Sequence, residues 1–137
     1  MAVDGESALH EWGNSLTSLV GSGRPLAKGF MRSRPRSPGR SCYATVAVDD
    51  TPDGLDAEGT TSAFGMTITV WSATDRESSR QAAVALVDEL RALSRNTPTV
   101  GSTRLLMAAP VGWPEFVEDD SGEFRHTVET TIYAAPA

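Results

Sequence analysis

From Thr74 to Arg95 the apolar residues Ala83, Leu86, Val87, Leu90 and Leu93 return at helical spacing, while Arg76, Arg80, Asp88, Glu89, Arg91 and Arg95 belong mainly to other faces. That pattern predicts an amphipathic helix whose stripe lies in a core. Its start carries Thr74-Asp75-Arg76-Glu77, the form of a capping box in which Thr74 caps the helix and Glu77 reaches back. A helix of this kind needs a second layer to bury its stripe, and the remainder of the chain must supply it.

That layer reads as β-sheet. Cys42 to Val48 is rich in β-formers and alternates. Thr60 to Ser72 places Phe64, Met66, Ile68 and Val70 on one face and Gly65, Thr67, Thr69 and Trp71 on the other. With the turn-rich acidic stretch Asp49 to Gly59 between them, the two predict a hairpin. Thr103 to Ala109 predicts a third strand. A fourth, Phe124 to Ala134, alternates Phe124, His126, Val128, Thr130 and Ile132 against Arg125, Thr127, Glu129, Thr131 and Tyr133. The intervening connection holds Trp113, Pro114, Phe116 and the acidic residues Glu118, Asp119 and Asp120. Large apolar groups such as Trp113 and Phe116 in a loop cover either the domain's own core or a partner.

Ahead of the strands, Leu9, Trp12, Leu16, Leu19 and Val20 predict a first helix from about Gly5 to Val20, capped by Asp4 and ended by Gly21-Ser22-Gly23 and Pro25. The expected fold class is therefore α+β, with a mainly antiparallel four-stranded sheet covered by two helices. At 137 residues, residues 1–137 form one domain, with residues 24–40 as a long basic arm after the first helix.

The arm holds the charge asymmetry. Arg24, Lys28, Arg32, Arg34, Arg36 and Arg40 are six of the 12 basic residues, whereas all 18 acidic residues lie outside the arm. Its prolines and glycines favour an extended connection that gains little from folding alone, so the arm is expected to leave its own subunit and lie on acidic surface of a neighbour. The complementary candidates are Asp49, Asp50 and Asp53 in one loop and Asp119 and Asp120 in the other. An acidic body with one basic segment suits contact between copies. The alternative is a small nucleic-acid-binding accessory protein that uses the arm on phosphates.

Chemistry finds little foothold. GSGRPLAKG lacks the spacing and strand context of a phosphate loop. His10 and His126 lie in different elements with no GxSxG elbow, and one cysteine with two distant histidines does not make the usual zinc site. The acidic loop 49–59 lacks the alternate-position pattern of a calcium loop. No catalytic residue, cofactor or metal is expected. Cys42 is the only cysteine, which excludes an intramolecular disulfide and suits a reducing compartment. The longest small or apolar run, Leu105 to Gly112, is strand-sized, so no membrane partner is expected, and the acidic start MAVDGESALHEW lacks the layout of a secretion signal.

Trp12, Leu16 and Leu19 followed by GSGRPLAKG, the RSPGR-Cys-Tyr-Ala entry into a strand, VWSATDRESS before an Ala-rich helix, RLLMAAPVGWPEF and the DDSGE turn together resemble the tail terminator (tail completion) proteins of long-tailed bacteriophages that infect actinobacteria. The resemblance spans nearly the whole chain. It implies a structural virion protein of the neck, made in the host cytoplasm, that forms a homo-oligomeric ring, usually a hexamer, on the head-proximal end of the tail tube. Such a ring stops tube growth and presents a docking surface to the head-tail connector or head completion protein, and DNA passes through its lumen without specific binding.

Overall fold

The computed structural model describes residues 3–36, 39, 41–49, 53–54, 61–118 and 122–137. Four long strands form the sheet's frame: β1 (Tyr43–Val48), β3 (Ser62–Ser72), β5 (Thr103–Val111) and β7 (Phe124–Pro136). They lie in the order β1-β3-β7-β5, and every pairing is antiparallel. The expected hairpin is β1 against β3. The four-stranded expectation is corrected by three short segments: β2 (Asp53–Gly54) beside β3, β4 (Thr99–Val100) outside β5, and β6 (Glu115–Val117) beside β7. Two or three residues are too few for alternation to mark them, and Pro110 and Pro114 read locally as loop.

Strand alternation sorts the faces as the sequence indicates. Phe64, Met66, Ile68 and Val70 are buried, as are Val128, Ile132 and Ala134 of β7. The long helix α2 (Arg76–Arg91) covers this face with Ala83, Leu86, Val87 and Leu90, and Leu93 follows in the one-turn helix α3 (Leu93–Asn96). Burial of the Leu and Val side chains among these contributes roughly 1.5–3 kcal/mol each. The cap differs from the expectation. Asp75, not Thr74, accepts the Ser78 N–H at 2.6 Å, while Thr74 turns its hydroxyl to Ser72.

The first helix is shorter than its apolar spacing suggests. α1 spans Gly5–Asn14, with Asp4 accepting the Ser7 N–H at 3.0 Å as expected. Ser15 ends it by donating its hydroxyl to Trp12 O, and Leu16 to Val20 continue as turns that still bury Leu19. Asn14 is needed elsewhere. Its carboxamide brackets the backbone of Phe30, accepting the N–H at 2.7 Å and donating to the carbonyl at 3.1 Å. Gly29 makes the approach possible, because its φ is +73° and a Cβ there would collide with Asn14.

Candidate assembly surfaces

The arm is fastened to its own subunit over residues 24–34, which corrects the expectation that it departs. Leu26 and Phe30 are buried in the shared core. Beside them, Lys28 N donates to Cys42 O, Ala44 N to Gly29 O, and Met31 N to Ala44 O. The arm thus adds a short parallel edge to the first residues of β1. Its prolines withhold donors but do not prevent this, because the apolar residues Leu26 and Phe30 carry the docking and the glycines allow the backbone to come close.

The second fastening is electrostatic. Tyr43, Trp71 and Arg125 share one row across β1, β3 and β7, on the face away from α2. The Tyr43 and Trp71 rings stack at 6.2 Å and 11°, and Trp71 Nε1 donates to Thr45 Oγ1 at 3.0 Å. The Arg34 guanidinium lies 3.9 Å from the centre of the Trp71 ring and pairs with Glu123. Tyr43 donates its hydroxyl to Glu123 Oε1 at 3.0 Å. Bonds to Tyr43 and then Glu123 hold the Arg34 pKa above its ordinary value, while burial pushes the Tyr43 hydroxyl up. Neither Trp71 nor Glu123 was a sequence candidate, since only the register brings them to the arm.

The other proposed contact residues are scattered. Arg24, Lys28, Arg32 and Arg36 are exposed, and Arg32 donates to the Ser7 hydroxyl at 2.8 Å. Asp49 is exposed and accepts the Thr67 hydroxyl at 2.6 Å. Arg40, Asp50, Asp119 and Asp120 lie outside the described residues, as does the side chain of Asp53. Trp113 and Phe116 take different roles. Phe116 is half-buried between the Arg76 guanidinium, 4.0 Å away, and the His126 ring, 5.4 Å away, so it is a lid on its own subunit. Trp113 is 60% exposed.

Among the described residues, the exposed large hydrophobics are Val48, Met107 and Trp113. All three lie at the lateral margins of the sheet. Val48 ends β1 at one side; Met107 is in β5, and Trp113 follows it in the turn to β6, at the other. The helical layer exposes none.

Two buried groups bear on chemistry. Ser79 and His126 meet at 2.7 Å, and Ser79 also donates its hydroxyl to Arg76 O at 2.9 Å. The direction of the Ser79–His126 bond follows the imidazole tautomer, and a hydroxyl that donates to Arg76 O accepts from Nδ1–H. Burial, then the Arg76 and Arg80 charges, hold the His126 pKa below its usual value. Cys42 borders an open hollow of about 520 Å³ lined also by Arg24, Ser41, Ser78 and Gln81. Burial pushes its thiol up, away from the reactive thiolate.

No family model matches this chain, and no curated protein matches it. One solved structure, 17% identical and covering 96% of this chain and 89% of its own, superposes with a TM-score of 0.45. No helix is long and apolar enough to cross a membrane among the described residues.

Proposed function

We propose that this chain is a non-catalytic subunit of a phage virion neck, a tail terminator that assembles as a homo-oligomeric, hexameric ring on the head-proximal end of the tail tube. There it ends tube growth and offers a docking face to the head connector. The observation that supports the reading is the placement of Val48 against Met107 and Trp113 on opposite margins of one sheet. A closed ring requires two different patches on each subunit, one meeting the other on the next copy. Trp113 is 60% exposed, and with Met107 on the same margin and Val48 on the other it gives a neighbour apolar groups to cover. The nucleic-acid alternative is weakened by the engagement of Arg34 with Glu123 and Trp71, which withdraws one of the arm's charges from phosphate.

The test is mass by light scattering at physiological salt, with negative-stain images of the particles. A ring mass and a central pore are expected, and the particles should cap growing tubes when added to tail tube protein. A monomer at every attainable concentration would overturn the reading.

A further inference from the structure

The backbone of β1 shows which groups a neighbour would use. Along a strand, residues two apart turn their N–H and C=O to the same side. Ala44 turns both outward, where Gly29 O and Met31 N take them. Asp49 N, of the opposite parity, donates to Gly65 O of the β3 side at 2.7 Å. The N–H and C=O of Val46 and Val48 therefore point the same way as those of Ala44, past Met31, the last arm residue with a backbone bond to β1 among the described residues. Their N–H and C=O groups meet no strand among the described residues. Among the described residues this short open length is regular in register, uncharged and free of proline.

The opposite margin is different. Beyond Thr103 and Arg104, which β4 covers, and Leu105, whose N–H is taken by Pro98 O, the outer edge of β5 contains Leu106, Met107 and Ala108. Two register shifts and Pro110 make it a poor template for pairing with itself. It is apolar, however, and it carries the side chains that most need cover. Charge also orients it. Asp49 follows β1 on the face away from α2, where it reaches Thr67, and Arg104 near the start of β5 is exposed on that same face, paired in register with Ala135. If β5 of a second copy runs antiparallel to β1, its Arg104 end meets Asp49.

We infer that the Val46 and Val48 edge of β1 receives the Met107 and Trp113 margin of a second copy, antiparallel, so that one sheet continues into the next around the assembly. This rests on the ring reading and adds its contact. Self-pairing of β1 would give a two-fold dimer and leave Met107 and Trp113 uncovered.

The experiment uses the full chain and two variants, one per margin. Val48→Pro removes an outward donor while leaving the bonds to β3, and Met107→Lys puts charge on the other margin. Each alone should lose at least tenfold in assembly affinity by light scattering, with circular dichroism and melting near those of the parent. Val48→Thr, which keeps the N–H, should assemble. Mixed, the two variants should form a one-to-one dimer, since each retains the margin the other lacks. Arg104→Asp should weaken assembly, and adding Asp49→Arg should restore it. A monomeric parent would sink the ring reading itself. A parent that assembles while Val48→Pro and Met107→Lys assemble equally well, or fail to pair when mixed, would overturn the edge contact alone. If Val48→Pro unfolds, Val46→Pro takes its place in the mixture.

Discussion

The two halves of β1's outer edge have opposite fates within a few residues. At Ala44 the edge is sealed by the chain's own arm, with Phe30 sunk into the core and Asn14 holding its backbone. At Val46 and Val48 the same strand, equally rich in β-formers, faces outward with no strand beside it among the described residues. The difference teaches that β-propensity does not decide what pairs with an edge. A segment with buried anchors decides it, and the anchors stop at Phe30.

Substitutions at the two halves should separate them sharply. The largest effect is expected at the anchor: Phe30→Ala should cost about 3–5 kcal/mol of unfolding free energy in denaturant titration, as truncation of a buried aromatic does. An unchanged midpoint would mean that the arm is not held where it lies. Next, Asn14→Ala leaves the Phe30 N–H and carbonyl without their side-chain partners and should cost about 1–3 kcal/mol. Hydrogen exchange at Phe30 should rise while α2 stays protected.

Acidification should bring a graded loss. Burial, then the Arg32 charge, depress the His10 pKa against a weaker opposing pull from Glu6. His126 is depressed by burial, Arg76 and Arg80 against Glu77. For both, the folded chain favours the neutral ring, so the stability is fully present above the unfolded value of about 6.5 and is lost as pH falls through the lowered folded values. The melting temperature should therefore decline between pH 7 and pH 5, and a double replacement of His10 and His126 by Gln should flatten that slope.

Smaller again, Arg34→Ala removes a guanidinium from the Trp71 face at a partly exposed site and should cost about 0.5–1 kcal/mol. Trp71 fluorescence should report the change. At the two open margins the expectation is nearly nil: Met107→Lys in β5 and Val48→Thr in β1 should each shift the stability of the isolated subunit by no more than about 0.5 kcal/mol. A large loss at either position would show that the margin is part of the fold.

Much of the framework was legible because it is written in local periodicity. The stripe of Ala83, Leu86, Val87 and Leu90 placed α2 on the sheet, and the alternation of β3 and β7 sorted their faces correctly. Asp4 was readable as a cap from its position alone. Other features were obscured by rules that also act locally. Leu16 and Val20 kept helical spacing beyond Asn14, yet Asn14 is occupied with Phe30 and the helix ends. Thr74 fits a capping box, but the Asp75 carboxylate reaches the Ser78 N–H and takes the cap.

The candidate assembly surfaces divide along the same line. The sequence by itself determined that the chain builds an α+β core around α2, that half of its basic charge is gathered in residues 24–40, and that Trp113 needs an explanation. Only the tertiary structure decided that Arg34 belongs to Glu123 and Trp71, that Phe116 is a lid while Trp113 is exposed, and that Val48 and Met107 stand on opposite margins. Periodicity depends on neighbours a few residues away, whereas an ion pair or a sheet margin depends on which distant strands are brought side by side. Register across β1, β3 and β7 supplied that juxtaposition, and no window of local sequence contains it.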